Sequence, residues 1–365
     1  MKLYFYPHAY LRDRQLDTIR NWTEHEVINR EIAQQRRGSQ VSRDAATTRR
    51  AKLNWKQIFP LINVKRRPKN LEIDDTVYLW GGLMLSGKFI VDLDNPWSLV
   101  GYNPVAMRLY RPIIKRFLLS ERCEQIHCIS QACRQSLKLL FGQKVFKKAD
   151  VRYPTHGISM QLPSGSVSKS NYTRFLFVGS QFEIKGGAAL LEAYRRVYKE
   201  NSEVSLTIIT HLPDECQQIV KELPNTEVFA PEFDRQELFQ RFFSSSDVLI
   251  HPSYMESFGM TILEAMAHGI PVVSNDIYAI QEMVMEGETG YLLSPPISKW
   301  DGYLPNDNFT KKQEFVNLVR KLDIEPYVRA LSDRMVRLSR SPKLRRSMQE
   351  KSLEKFQELA RSNDV

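Results

Sequence analysis

From residue 174 onward the chain repeats one unit: a short apolar run, a turn, then a segment whose apolar residues recur at helical spacing. "RFLFVGS" leads to "GGAALLEAYRRVYKE", "VSLTIIT" to a helical stretch from Asp214 to Leu223, and "TEVFA" to "RQELFQRFFSSS". "DVLIHPS" leads into "YMESFGMTILEAMAHGI", and "PVVSN" into "AIQEMVMEG". Strands that are apolar throughout and alternate with amphipathic helices must be covered on both faces, which a parallel sheet of βαβ units achieves. The N-terminal half repeats the theme less regularly. "KLYFYP", "DTVYLWGG", "GKFIVDLD" and "EQIHCIS" read as buried strands, with helical patterns near 15–35, 43–58, 104–120 and 131–141. The expected fold class is α/β, with two such sheets in tandem.

The segment 159–173, "SMQLPSGSVSKSNYT", is rich in Ser and Pro and poor in large apolar groups, and reads as a linker. It divides an N-terminal domain, 1–158, from a second domain, 174–330. The stretch 296–312 reads as a loop. The tail, 331–365, is helical and amphipathic and is expected to cross back to the first domain.

With 365 residues and 42% apolar content, two cores can be buried. No apolar run approaches the roughly 18–20 residues of a membrane span. The apolar stretch in "MKLYFYPHAYLRDR" is too short for a signal peptide, so a cytoplasmic protein is expected. The four cysteines form no CxxC pair and have no histidine pair at zinc spacing, so no metal site is expected from them. Charge is uneven. Residues 1–158 carry about 28 Lys and Arg against 14 acids, and the remainder about 24 against 28. A basic first half suggests that this domain meets an anionic surface or ligand.

In "SYMESFGMTILEAMAHGIPVV" two acids, Glu256 and Glu264, stand with seven residues between them. "DVLIHP" predicts a strand, Ser257 an N-cap, Gly259 the start of a helix, and Gly269 with Pro271 its end. The amides of Phe258, Gly259, Met260 and Thr261 are then the unpaired donors of a helix start at the carboxyl end of a parallel strand, which is an anion site. One carboxylate beside it can accept two vicinal ribose hydroxyls, and the other can reach the far end of the ligand. In "FVGSQFEIKGG", Lys185 precedes a Gly-Gly helix start and can neutralise a diphosphate. The ligand that matches is a nucleotide with something attached.

"FVGSQFEIKGGAALLEAY", "DVLIHPSYMESFGMTILEAMAHGIPVV" and "GETGYLL" resemble the donor half of family 4 glycosyltransferases. "CEQIHCISQACRQSLKLLFG" and "VRYPTHGI" resemble the last acceptor-domain strands of that family more thinly. The resemblance implies the GT-B fold, two Rossmann-like domains with parallel sheets facing across a cleft. It implies a retaining glycosyltransferase that uses a nucleotide diphosphate sugar and no metal or other cofactor. Carried over by position, Glu264 would bind the ribose hydroxyls and Glu256 would face the donor sugar near the reacting carbon. The amides of 258–261, with Ser257 beside them, would hold sugar and phosphate, and Lys185 the diphosphate. Gly179 and Ser180 stand where the family has Gly followed by a diphosphate-binding Arg, so that ligand is missing. Where the family often has a His at an acceptor-domain strand end, "FIVDLDNP" places Asp94. That acid either holds a sugar hydroxyl or serves as a turn acid before Asn95-Pro96. The family's glycine-rich loop after the first strand is also missing, and Arg12 or Arg14 are the substitutes at hand.

The acceptor, a glycan or lipid-linked sugar of the kind used in bacterial polysaccharide biosynthesis, is expected on the basic first domain. "NREIAQQRRGSQVSRDAATTRRAKLNWKQIF", "VKRRPKN" and "RLYRPIIKRFLL" concentrate its charge, and suit either a solvated face or docking on anionic lipid at the inner face of the cytoplasmic membrane. Two alternatives stay open: a nucleotide-sugar epimerase or similar enzyme on the same fold, and a basic nucleic-acid binder. The second lacks a recognition motif and the aromatic-basic interleaving that stacks bases, so no nucleic-acid partner is expected.

Overall fold

The computed structural model describes residues 2–7, 11–34, 59–161, 172–306 and 312–363. The helical pattern at 43–58, most of the 159–173 linker and the basic stretch from residue 35 to 58 lie outside these.

Two six-stranded sheets, each parallel throughout, carry the fold. The first uses β1 (Lys2–Tyr6), β2 (Glu26–Val27), β3 (Thr76–Trp80), β4 (Phe89–Leu93), β5 (Cys123–Cys128) and β6 (Ala149–Val151), in the spatial order β2-β1-β3-β4-β5-β6. The second uses β7 (Thr173–Val178), β8 (Val204–Ile209), β9 (Thr226–Phe229), β10 (Val248–His251), β11 (Val272–Asn275) and β12 (Gly290–Leu293), ordered β9-β8-β7-β10-β11-β12. The principal helices are α1 (Asp13–Asn21), α2 (Pro104–Leu118), α3 (Gln131–Phe141), α4 (Gly187–Glu200), α5 (Asp214–Lys221), α6 (Met260–Ala267), α7 (Glu325–Ser339) and α8 (Pro342–Arg361).

The strands are apolar throughout because both faces are covered, and alternate side chains serve opposite cores. On β7, Phe175 and Phe177 join the cluster that packs α4 and α7, while Leu176 and Val178 join the one holding Leu263, Met266 and Phe356 of α6 and α8. In the first sheet Leu3, Phe5, Tyr78 and Ile90 pack with Ile19 and Trp22, whereas Val77, Leu79 and Val91 pack under α2 and α3.

Each sheet reverses its direction of growth once, between β1 and β3 in the first and between β7 and β10 in the second. At such a switch the loops after the two strands part in opposite directions and leave a crevice at the carboxyl ends. In the second sheet, one glycine closes the distance between those loops and the next lets its own loop fold tightly. Gly186, at φ +78°, lies so near the Pro252 carbonyl that a Cβ would stand 2.2 Å from its oxygen, and a Cβ on Gly187 would stand 2.2 Å from the Phe182 ring. That packing brings the loop bearing Lys185 against the loop bearing Glu256.

Four expectations differ from the structure. The helical pattern near 15–35 divides into α1, the short strand β2 and a 3-10 turn, Arg30–Gln34. The helix foreseen over "RQELFQRFFSSS" is one α-turn, Arg235–Glu237, continued as a π-helix over Leu238–Phe243. "AIQEMVMEG" yields only a 3-10 turn, Ile280–Glu282. The loop at 296–312 contains a small antiparallel hairpin, Trp300–Asp301 with Leu304–Pro305. Its Trp300 stacks on Tyr278 at 3.9 Å and meets Trp97 of the first half edge-on at 6.2 Å. The tail helices pack chiefly on the second sheet, and Asn363 beyond them exchanges hydrogen bonds with the Tyr153 backbone at 2.7 and 2.8 Å. Among the described residues no helix is long and apolar enough to cross a membrane.

Gly186→Ala should cost at least about 2 kcal/mol, from the left-handed backbone and the carbonyl clash together. The midpoint of denaturant unfolding checks this, and a wild-type midpoint would show that the two loops can part freely.

Candidate functional site

The carboxyl ends of both sheets open on one cavity of about 340 Å³. The first half contributes Arg12, Arg14 and Gln15 after β1, Trp80 at the end of β3, and Asp92, Asp94 and Tyr102 around the end of β4. The second contributes Glu256, Ser257, Phe258, Gly259 and Met260, the loop after β10 and the start of α6. Asp94, Glu256 and 257–260 therefore share one chamber. Gly179, Ser180, Lys185, Thr261 and Glu264 are not part of its lining: Lys185 pairs with Glu256, and Glu264 with an arginine.

The start of α6 differs from expectation at its cap. Ser257 does not cap it, because its Oγ accepts a hydrogen bond from Asn95 Nδ2 of the first half at 3.1 Å. The N-cap is Gly259, at φ +97° and with no side-chain capping bond. Glycine adopts that left-handed geometry without strain. An uncapped helix start leaves the first amides available to a ligand, and the positive end of the helix dipole adds to their pull on an anion.

Glu256 is hydrogen-bonded by Lys185 Nζ, and His251 Nε2 lies 3.2 Å from the same carboxylate oxygen. Burial alone would raise this carboxyl, but Lys185 and then His251 hold it well below the usual carboxylate range. His251 is itself lowered by burial, so the ring is neutral and donates from Nε2, while its Nδ1 is buried with no hydrogen-bond partner. Gly179 has a direct part here: a Cβ on it would lie 2.9 Å from Lys185 Cγ, so its bareness lets the lysine stem run along the strand end. Ser180, half-buried beside it, supplies no cation in place of the arginine.

Glu264 stands on α6 with its Oε1 3.1 Å from Arg235 Nε. Arg235 in turn donates to Asp17 of α1, so an ion chain runs from the second half to the first. Burial raises the Glu264 carboxyl to about 7, with Arg235 opposing and Asp13 and Asp17 adding to the rise.

On the opposite wall Asp92 and Asp94 have separate fates. Asp92 is buried, takes two hydrogen bonds from Arg14 at 2.9 and 3.1 Å and one from the Tyr78 hydroxyl at 3.0 Å. Arg14 is thereby committed to structure. Asp94 accepts from the Tyr102 hydroxyl at 3.1 and 3.3 Å and from its neighbour's amide, Asn95 N, at 2.9 Å, so it serves the turn and faces the cavity at once. Arg12 is exposed on the cavity wall and its guanidinium has no ion pair among the described residues. Sequence reasoning did not find Arg235, Asp17, His251, Asn95 or Tyr102. His251 alone left a signal, a polar residue at the carboxyl end of an apolar strand.

Compared with known proteins, residues 162–302 match the family described as Glycosyl transferases group 1. An uncharacterized glycosyltransferase of Haemophilus influenzae is 26% identical over 233 residues, 61% of this chain and 63% of that protein. This chain thus spans less than two thirds of that relative. Among solved structures, Anabaena HepE in complex with UDP superposes with a TM-score of 0.58 at 15% identity, over 100% of this chain and 98% of that one. WaaG, a glycosyltransferase involved in lipopolysaccharide biosynthesis, gives 0.54 at 14% identity, over 97% and 94%. These likenesses establish the fold as GT-B, two Rossmann-like parallel sheets facing across a cleft.

The Lys185–Glu256 pair is mostly buried, so removing one partner strands the other. Lys185→Met is expected to cost about 2–4 kcal/mol of stability, and adding Glu256→Gln should recover at least half. A double-mutant cycle from denaturant unfolding measures both; strictly additive losses would mean the pair contributes nothing as a pair.

Proposed function

We propose, from the match of residues 162–302 to the glycosyl transferases group 1, that the protein is a retaining, metal-independent glycosyltransferase. It moves a sugar from a nucleotide diphosphate to a hydroxyl of a glycan or glycolipid. The observation that carries this reading is the coincidence of three features at one topological switch: an uncapped helix start, Lys185, and two mostly buried acids with seven residues between them.

In this reading the amides at 258–261 and the Lys185 ammonium take the diphosphate and stabilise the charge that builds on it as the glycosidic bond breaks. The acceptor oxygen forms its bond to the anomeric carbon on the face the diphosphate leaves, and its proton passes to the departing phosphate oxygen. Glu256 lies beside the positive charge developing on the sugar. Glu264 accepts the two ribose hydroxyls. Asp94 with Tyr102, across the cavity, orients a hydroxyl of donor or acceptor. Lys185 and the helix dipole supply the positive charge at the diphosphate without a divalent cation. UDP, the ligand of the Anabaena neighbour, is the first probe of the base.

Glu264→Ala should weaken UDP or the matching diphosphate by about 10- to 100-fold, the worth of a charge-assisted hydrogen-bond pair, with a smaller change in turnover. Glu256→Ala should mainly lower turnover. Calorimetry with and without EDTA, and NMR of the product's anomeric configuration, decide the matter. Inversion at the transferred sugar breaks the retaining mechanism, and a strict need for metal breaks the metal-free one.

The reading includes an acceptor presented at an anionic membrane surface. On α2, Val105, Leu109 and Ile113 recur every four residues on one face and are 46–59% exposed, and Leu139 of α3 lies alongside at 53%. Arg111 of α2 donates to the Leu139 carbonyl at 3.4 Å, which ties the two helices into one patch. Arg108, Arg111, Lys115, Arg116 and Lys138 flank it, and all five are exposed. Apolar side chains among cations complement an anionic bilayer, where each base adds about 1 kcal/mol. The helix begins two residues after Tyr102, at the cavity mouth, so a lipid-held acceptor would enter directly. Co-sedimentation with phosphatidylglycerol-containing vesicles should fall at least about tenfold in Leu109→Glu/Ile113→Glu, while neutral vesicles bind neither protein. Equal binding by the variant, or self-association through this face instead, would sink the membrane assignment.

A further inference from the structure

The ion chain Asp17–Arg235–Glu264 lies outside the cavity lining, and no part of the proposed chemistry above uses its central arginine. The side chains of Asp17, Arg235 and Glu264 are only 6, 14 and 15% exposed. Asp17 is held firmly: one of its oxygens accepts from Arg235, the other from Arg20 at 3.2 Å. Its carboxylate also sits against Gly157, where a Cβ would come within 2.4 Å of it. The guanidinium lies 5.2 Å over the Phe239 ring, and its Nε and Nη2 are buried without a hydrogen-bond partner, so its contact with Glu264 is an ion pair. Arg235 is thus fixed from the first half, from a ring and from α6 at once, and it reaches Glu264 through Nε, on Oε1.

We infer that Arg235 is a positioning residue for Glu264: anchored by Asp17 of α1, it holds the carboxylate turned so that an oxygen remains free for the diol of the donor's ribose. The inference rests on Glu264 being the ribose acid. Two hydroxyls that both donate require an acceptor-only partner, and a carboxylic acid that keeps its proton is not one. The groups around Glu264 make that proton a live matter. Asp13 and Asp17 of α1 face it with negative charge, and Arg235 opposes them. His268 Nδ1, 2.7 Å from the Glu264 backbone oxygen, belongs to a ring that burial keeps neutral. Without Arg235, burial and two acids would leave Glu264 protonated well above neutral pH. The dependence also ties donor capture to the first half, since the anchor of the arginine is 218 positions away on α1.

The test is calorimetric binding of UDP and 2′,3′-dideoxy-UDP, from pH 5.5 to 8.5, to wild type, Arg235→Gln and Arg235→Lys. Wild type should prefer the ribonucleotide by about tenfold or more, the worth of hydrogen bonds to a charged group. Glu264 is raised, so its carboxylate form is lost as pH falls, and the preference should grow as pH rises through about 7. Arg235→Gln should bind dideoxy-UDP as wild type does, lose most of the preference at pH 7, and show it only at higher pH. Arg235→Lys should restore part of it. An unchanged preference and midpoint in Arg235→Gln overturns the inference, and so does an equal loss of both nucleotides, which marks a merely structural arginine. If wild type itself binds the two equally, the ribose assignment of Glu264 fails, and the role of Arg235 fails with it.

Discussion

The close approach of Gly186 to the Pro252 carbonyl sets the distance between the two loops of the second sheet's switch point, and the site is built on that distance. One loop carries Lys185 at the entry to α4, the other carries Glu256 at the entry to α6. Any side chain at 186 would push the loops apart and separate a cation from an acid that are both mostly buried. The contact is short-range and made of backbone. It therefore places charged groups more firmly than long, flexible side chains could place themselves.

Sheet topology explains why one cavity serves both halves. Each sheet has its switch point, each switch point opens at the carboxyl ends, and the two open toward each other. The halves are pinned around this chamber rather than merely facing. Glu282 of the second half accepts from the Gln131 and Ala132 amides at the start of α3, at 2.8 and 2.7 Å, and from the Tyr153 hydroxyl at 2.8 Å. Ser136 meets the Tyr278 hydroxyl at 2.9 Å, and Asn95 meets Ser257. These bonds run beside apolar contacts, Tyr153 on Phe258 and Trp97 against Trp300, so the interface is mixed in character.

What the sequence made legible follows the range of the interaction. The strands of the second sheet, the start of α4 at Gly186-Gly187 and the start of α6 at Gly259 are governed by neighbours along the chain, and periodicity and glycine placement announce them. The cap of α6 was misread because Ser257 is drawn off by Asn95, 162 positions away, a competition invisible in the local string. The same holds for Arg235, whose place in "FDRQEL" is that of any surface residue until Asp17 and Glu264 are folded around it. The hairpin inside 296–312 was missed for another reason. Its two strands are two residues each, and its order comes from Trp300 stacking on Tyr278, not from strand propensity.

Three acids around the cleft each pair with a cation: Glu256 with Lys185, Asp92 with Arg14, and Glu264 with Arg235, which it shares with Asp17. In the proposed reading, a nucleotide sugar entering such a site would exchange charges more than add them. If Lys185 turns to the diphosphate, Glu256 loses the neighbour that does most to hold its carboxyl low, while burial and a neutral His251 remain. A carboxylate left so is costly in the ground state. Its cost falls as positive charge gathers on the anomeric carbon, which takes the place the ammonium held. The interaction is then stronger in the transition state than before it, which is the condition for raising turnover and not binding alone. Asp92 is paired with Arg14 on the opposite wall and would take no part in that exchange.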